Sequence, residues 1–391
     1  MHLALTPEQL AFRDEVRDYF TGVMTPDVVA KVERDPVDID AYRDLIRQFG
    51  ADGWLCPTWP EELGGRGLTP VEQFVFFDEV QRLRVPMPFL TTNTVGPTIA
   101  AYGSDEQKAH FLPRILQGDC LFAIGYSEPG AGTDLASLTT RATRDGDEWV
   151  ITGQKMWTSL IDRADYVWLA CRTDADAPKH KGISIILVPT DIDGFSWTKV
   201  DTIGGGLTSA TYYQDVRVPV SNTVGEVNEG WRLMTSQLNQ ERIALSSSGV
   251  VQRRFEQVRR WAQQTKLADG RRVIDQDWVQ RNLAEVRARL EAMRLMNWKV
   301  AWEASQDRIE PADASAMKVY GSEFYIDTWR KLMEVVGPRA ALRPDDPGAL
   351  FGGELEEEFR RSIILTFGGG TNEIQRDIIA TMGLGLPRSP R

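Results

Sequence analysis

The chain has little of what most catalytic or metal sites are made from. Only three histidines and three cysteines occur in 391 residues. His2, His110 and His180 lie far apart, and Cys56, Cys120 and Cys171 form no CxxC pair. A zinc site or a histidine-dependent nucleophilic triad therefore has almost no material. The cysteines read as free, mostly buried thiols of a reducing cytoplasm. No apolar run is long enough to span a bilayer. The start, MHLALTPEQL, lacks the basic and apolar regions of a signal peptide. Positive charge is also in deficit: the net charge is −11, which argues against nucleic acid or an anionic membrane as partner. What remains is carboxylate chemistry, or a cofactor that carries the reaction.

The length is too great for one compact core, and the hydrophobic period changes twice along it. Thr6-Pro7-Glu8-Gln9 is a capping box with proline at the first helical position, followed by Phe12, Val16, Tyr19 and Phe20 at helical spacing. A second helix spans Ala41 to Phe49, with Gly50 as its stop. Thr69-Pro70-Val71-Glu72 opens a third, Val71–Leu83, and Ser104-Asp105-Glu106-Gln107 a fourth that Gly118 ends. From about residue 121 the period becomes two. Strands are expected at Phe122–Tyr126, Glu148–Thr152, Tyr166–Cys171, Ile183–Val188, Phe195–Val200 and Thr211–Val218, separated by Asp145-Gly146, Asp193-Gly194 and Gly204-Gly205-Gly206. After Gly230 long helical patterns return. The expected fold class is α+β, mainly α: a helical N-terminal domain over 1–120, a small antiparallel β domain over 121–228 and a C-terminal helical bundle over 229–391.

One stretch concentrates candidate binding groups: Phe122 to Ser159. Its first strand ends in Ser127-Glu128-Pro129-Gly130-Ala131-Gly132-Thr133-Asp134. Gly130 and Gly132 would let backbone approach a ligand, and the hydroxyls and N–H groups around them could bind carbonyls or phosphates. A hairpin turning at Asp145-Gly146 returns Gln154-Lys155-Met156-Trp157-Thr158-Ser159, which sets a flat aromatic beside small hydroxyls. A planar heterocycle stacked on Trp157 fits such a site; so does a plain glycine turn. Gly130-Ala131-Gly132 is no dinucleotide fingerprint, because Leu135 stands where its third glycine would be and no βαβ unit surrounds it.

YSEPGAGTDLASL followed by GQKMWTS resembles the paired flavin-binding signatures of the acyl-CoA dehydrogenase family. The resemblance continues through Asp215-Val216-Arg217-Val218-Pro219, Asn222-Thr223-Val224-Gly225-Glu226 and Gly368-Gly369-Gly370-Thr371-Asn372-Glu373-Ile374-Gln375-Arg376, nearly the whole chain in the family's order. It is strongest to the actinobacterial subgroup that acts on CoA thioesters of steroid side chains. The resemblance implies FAD as cofactor, with Tyr126, Ser127 and Thr133 contacting the flavin, Trp157 stacked on the isoalloxazine and the Ser159 hydroxyl near N5. It brings Thr371 and Glu373 close to FAD, and makes Thr133, Leu238 and Arg242 substrate or CoA contacts. It also implies α,β-desaturation of an acyl-CoA to a trans-2-enoyl-CoA, hydride transfer to flavin N5, and an electron-transferring flavoprotein as acceptor.

Desaturation needs a base for the Cα proton, best a carboxylate in an apolar pocket. Glu241 lies three residues after Leu238, seven after Met234 and four before Leu245, on the apolar stripe of a helix. From spacing alone it is a buried ion pair, a rim residue or a functional carboxylate. The family pattern offers two places for the base. One is Gly369 here, in FGGGTNE, and supplies no carboxylate. The other is the Leu-x-x-Glu-Arg pattern that Glu241 matches, so the resemblance assigns Glu241 as base, with Arg242 bracing the site.

The pattern breaks in two places. Homotetrameric relatives carry Arg-x-x-Phe-Gly-x-Pro-Ile where this chain reads Arg260 to Ile274 without Phe-Gly, and Gln-x-x-Gly-Gly-x-Gly where it reads Glu334 to Ala340. Both elements serve a neighbour's FAD. Their loss implies a second, dehydrogenase-like subunit in an α2β2 assembly. The competing expectation is a homotetramer in which Arg271 and Arg272 take the diphosphate role. Gly204-Gly205-Gly206 and the ALSSSG stretch at 244–249 could widen an acyl pocket, or be turns and helix packing. A bulky or branched acyl group follows from the resemblance only. An oxidase or flavin monooxygenase on the same fold, and a non-catalytic subunit of a heteromeric dehydrogenase, are the alternatives.

Overall fold

The computed structural model describes residues 4–32, 37–206, 208–235, 237, 247–306, 308 and 310–387. Six helices come first: α1 (Pro7–Val23), α2 (Pro26–Val32), α3 (Ile39–Ala51), α4 (Pro70–Arg82), α5 (Gly96–Tyr102) and α6 (Asp105–Gln117). The capping boxes at Thr6, Thr69 and Ser104 all form, each hydroxyl accepting from the N–H three residues on. Gly118 ends α6 in the left-handed region at φ 80°. Gly50, expected to stop α3, instead lies inside it. A Cβ there would meet Leu116 O at 2.7 Å, so this glycine serves close approach to α6 rather than termination.

The sequence pattern did not announce the turn of π-helix at Leu90–Val95 that runs into α5. Its threonines are buried and bond back along the chain: Thr94 Oγ1 donates to Leu90 O, and Thr92 Oγ1 to Pro88 O. Pro97 lacks an N–H, and the wider turn accommodates the missing ladder bond. Trp59 donates its indole N–H to Thr92 O at 2.7 Å, and its ring fills the place of a side chain at Gly96.

Eight strands follow: β1 (Phe122–Gly125), β2 (Arg141–Asp145), β3 (Glu148–Lys155), β4 (Tyr166–Arg172), β5 (Ile183–Pro189), β6 (Phe195–Val200), β7 (Thr208–Pro219) and β8 (Thr223–Val224). They form one sheet in the order β6-β7-β3-β2-β4-β5-β8, with β1 also on β4. Pairing is antiparallel except that β1 and the first residue of β2, Arg141, pair parallel with β4. β4 is apolar almost throughout because both its faces are covered. Trp168 and Ala170 join the core of the N-terminal helices, while Val167, Leu169 and Cys171 join a core on the opposite face with Ile151 and Val216.

Helix resumes at α7, described over 230–235, then α8 (Ser248–Gln264), α9 (Asp277–Ala304), α10 (Pro311–Val336), α11 (Glu354–Ser362) and α12 (Asn372–Ile378). Of these, α8, α9, α10 and α11 close a separate core around Phe255, Leu290, Phe324 and Trp329. Leu233 and Met234 of α7 belong instead to the core of the first helices and the sheet. α7 therefore packs directly beside β1 and Tyr126. No helix among the described residues is long and apolar enough to cross a membrane.

Candidate active site

The two halves of the candidate binding stretch meet edge to edge. β1 delivers Tyr126 and Ser127, and β3 ends at Lys155. Met156 N donates to Ser127 O at 2.8 Å, which locks the chain just before Trp157 against the chain just before Glu128. Glu128 and Ala131 then exchange backbone hydrogen bonds at 2.9 and 3.1 Å, so the Pro129-Gly130 turn is a tight, closed loop. A Cβ on Gly130 or Gly132 would meet nothing within 4 Å: the rim of this loop is open, as a ligand cradle requires. Thr133 lies on that exposed rim, next to Asp134, whose carboxylate pairs with Lys179.

Trp157 has φ 65° and Leu160 φ 62°, a conformation that disfavours residues with a Cβ. Strain of this kind gathers at functional sites. Trp157 is 56% exposed despite being the largest side chain in the segment. Its neighbour Thr158 is buried, with N–H on Ser209 O at 2.9 Å, while Ser159 is half-buried beside Thr208. The backbone is thus twisted to hold an indole face outward, over a floor of small hydroxyls.

Under this surface lies a buried ion pair. Lys155 alternates inward with Trp149 and Ile151 on β3 and is wholly buried. Its Nζ donates to Glu128 Oε1 at 2.9 Å and to Tyr126 O at 3.0 Å. Glu128 Oε2 accepts from Thr139 N at 2.7 Å and Thr139 Oγ1 at 2.8 Å, and Oε1 from Thr140 N at 2.8 Å. Burial by itself pushes the Glu128 carboxyl up. The Lys155 charge, its hydrogen bond and the bonds from Thr140 outweigh that and hold it at about 2. Burial pulls Lys155 below its ordinary value, with the Glu128 charge opposing. The glycine loop is therefore pinned from beneath by a carboxylate and a cation.

Tyr126 is held at its other end too. Its hydroxyl bonds to Gln237 Oε1 and accepts from Trp168 Nε1 at 3.0 Å. Sequence reasoning singled out neither Gln237 nor the Lys155–Glu128 pair. For Lys155 a signal existed: a lysine on the inward-facing register of an apolar strand demands a partner.

Of the predicted site residues, Tyr126, Ser127, Thr133, Trp157 and Ser159 come together on this edge of the sheet. Thr371 and Glu373 sit elsewhere, at the start of α12. Thr371 caps that helix, accepting from Ile374 N at 3.2 Å. The turn before it is fastened to α10 by the buried Lys318, which donates to Gly370 O at 2.6 Å and Asn372 Oδ1 at 2.9 Å. Leu238, Glu241 and Arg242 lie outside the described residues.

A helical, sheet and helical organisation with a flat-faced, hydroxyl-lined edge defines a class of protein built around a planar cofactor. Three domain descriptions of one family match the chain: acyl-CoA dehydrogenase N-terminal domain over 6–119, middle domain over 123–216 and C-terminal domain over 228–384. The chain is 54% identical over 400 residues to acyl-CoA dehydrogenase FadE26 of Mycobacterium tuberculosis and 47% identical over 392 residues to FadE29 of the same organism, with full coverage of both chains in each case. Among solved structures, the ChsE4-ChsE5 complex from Mycobacterium tuberculosis matches with a TM-score of 0.93 at 54% identity, covering 100% of both chains. The Tcur3481-Tcur3483 steroid ACAD also matches with a TM-score of 0.93, at 51% identity and 100% coverage of both. The protein belongs to the acyl-CoA dehydrogenase family and is an FAD-dependent oxidoreductase. The cradle fits that cofactor: an outward indole, an open glycine rim and adjacent hydroxyls suit a flat, polar ring system.

Proposed function

We propose that the protein desaturates the α,β bond of a bulky acyl-CoA, a steroid side chain or a similarly branched group, to the trans-2-enoyl-CoA. The juxtaposition of Tyr126-Ser127 with Trp157-Ser159 carries this reading, since it makes one rigid bay on the sheet edge. Bound FAD supplies the hydride acceptor. Tyr126, Ser127 and Thr133 hold it along the loop, Trp157 covers its ring and the Ser159 hydroxyl faces its reactive edge; Thr371 and Glu373 serve it from α12. Glu241 takes the Cα proton. Arg242, Leu238 and Thr133 receive the thioester end of the substrate, and an electron-transferring flavoprotein receives the electrons. The bulky acyl class rests on likeness to the steroid ACAD.

A second dehydrogenase-like subunit belongs to the same proposal. The structures it resembles include a two-component complex. Arg271 and Arg272, which a homotetramer would need for a diphosphate, are each engaged locally: Arg271 Nε donates to Asp269 Oδ2 at 2.8 Å, and Arg272 Nη2 to Asp275 Oδ1 at 2.7 Å. Large apolar side chains, among them Trp302, Ile364, Phe367 and Met382, stand exposed on the C-terminal helices.

Two measurements test the proposal. Flavin is counted per chain after purification alone and after co-expression with a second dehydrogenase-like chain; near one FAD per chain alone would refute the shared site. Anaerobic flavin bleaching by an acyl-CoA is then compared with that of Glu241→Gln. The variant should keep its flavin and lose bleaching. Bleaching at the wild-type rate would remove Glu241 as base.

A further inference from the structure

Helix α9 carries two seams. Val279, Leu283, Val286, Leu290 and Met293 alternate steps of four and three residues and are buried in the C-terminal core. On the outward side Ala284, Ala288, Glu291, Leu295, Trp298 and Trp302 repeat the same alternation. Trp298 is half-buried and meets Phe74 of α4 edge-on. Ala284 and Ala288 are exposed, Leu295 is 51% exposed and Trp302 56%. The outward seam extends along about 27 Å of helix. Beside it lies a cleft of about 430 Å³ between α8 and α9, lined by Phe255, Glu256, Arg259, Arg260 and Arg287. Among the described residues Arg259 has no hydrogen-bond or ion-pair partner, and Arg260 reaches only the Glu256 carbonyl, at 3.5 Å. Arg287 and Arg294 share one carboxylate, Glu291, at 2.7 and 3.3 Å. One flank of the seam thus holds four guanidinium groups against the carboxylates of Glu256 and Glu291, in a chain whose net charge is −11.

We propose that the outward face of α9 receives a helix from a different chain, one with an apolar seam and an acidic flank, and that the arginine cleft turns away a second copy of this chain. The inference rests on the two-component reading above only in that a second chain exists. The seam supplies area: Leu295 and Trp302 stand proud at one end, and the two alanines let a helix approach closely at the other. The flank supplies the choice. When two identical helices cross antiparallel about a two-fold axis, each flank meets its own copy. A pair of these chains would set the arginines of one against the arginines of the other, a like-charge contact that opposes pairing. A carboxylate-bearing flank meets the same guanidinium groups with opposite charge and, for Arg259, satisfies donors that have no partner within the described chain.

The test uses the full chain and a version of it as the acidic probe. A triple variant, Arg259→Glu/Arg260→Glu/Arg287→Glu, changes three exposed side chains and reverses the flank. Sedimentation at about 50 mM salt compares wild type alone, the variant alone and an equimolar mixture. The mixture should associate at least about tenfold more tightly than either protein alone, and the difference should shrink at about 500 mM salt, where charges are screened beyond about 4 Å. Leu295→Glu placed in both chains should remove the mixed species. The neutral variant Arg259→Gln/Arg260→Gln/Arg287→Gln covers the case in which the reversed flank disturbs folding: without the repulsion it should self-associate more than wild type. A mixture no tighter than wild type alone, with a neutral variant that behaves as wild type does, would overturn the charge selection. A wild-type dimer that Leu295→Glu abolishes would overturn it too, because the face would then take a second copy. One FAD per chain in the protein purified alone would remove the shared flavin site without altering these association constants, so the two failures are told apart.

Discussion

Replacing Lys155 by methionine is the sharpest test of how the glycine loop is held. The change keeps side-chain length and removes the cation, leaving Glu128 buried with 5% of its side chain exposed. A carboxyl held at about 2 instead of 4.5 corresponds to about 3 kcal/mol of folding stability at neutral pH. The burial that lowers Lys155 offsets part of this in the intact pair. Removing one partner of a buried pair costs about 3–5 kcal/mol. The bonds from Thr139 and Thr140 persist in the variant, so the expected loss is near the lower end, about 3 kcal/mol. Urea unfolding at pH 7 measures it. The sign with pH follows from the direction of the shift. The wild-type Glu128 contribution is present above about 4.5 and fades as pH falls towards 2. In the variant, burial without the cation raises the carboxyl, so the penalty is full at pH 7 and disappears once the group is protonated in both states. The gap between the two proteins should shrink steadily from pH 7 to pH 4. Adding Glu128→Gln to the variant should recover at least about 1 kcal/mol at pH 7, because no unpaired charge remains. A Lys155→Met loss below about 1 kcal/mol, or a gap that widens in acid, would refute this account of the loop.

Two further outcomes are expected. Trp157→Gly should leave the flavin-free protein as stable or more so, since relief of a left-handed non-glycine residue is worth about 1–2 kcal/mol and the indole is more than half exposed; it should weaken flavin binding at least about tenfold, so a flavin titration that matches wild type would exclude stacking. Asp78 is half-buried on α4, and its Oδ1 accepts from Ser247 Oγ at 2.9 Å, Ser248 Oγ at 2.8 Å and Gly249 N at 2.9 Å. Burial raises its carboxyl despite those bonds, so its contribution is present below the unfolded value and is lost as pH rises through the folded one; Asp78→Asn, which keeps an oxygen acceptor without the charge, should therefore match or exceed wild type in thermal melts at pH 8, whereas Asp78→Ala should lose about 2 kcal/mol or more.

Local signals carried most of the fold. The three capping boxes and the αL glycine after α6 use interactions within four residues, which a single sequence displays. The strands were legible because β4 and β5 are apolar on consecutive positions between turn signals. Gly50 was misleading because its reason is nonlocal: the backbone of α6 occupies the place of its side chain. The π-helical turn escaped notice for the same kind of reason, as its frame is completed by Trp59 from another segment.

The site divides along the same line. Trp157 and the glycine loop stood out because their residue types are unusual where they occur. The groups that position them did not, because each is ordinary alone. A glutamate after a serine, a lysine in a strand and a glutamine in a helix gain meaning only once Lys155 reaches Tyr126 O and Tyr126 reaches Gln237. These contacts make one continuous connection: Thr139 and Thr140 to Glu128, Glu128 to Lys155, Lys155 to the Tyr126 carbonyl, and the Tyr126 hydroxyl to the helical Gln237. Tyr126 is where the two supports join, its carbonyl held by Lys155 and its hydroxyl by Gln237. The Lys155→Met and Tyr126→Phe changes therefore act on opposite ends of one residue that the proposed function places against the cofactor, and each should weaken flavin binding; a flavin titration in which both variants match wild type would remove Tyr126 from the cofactor site.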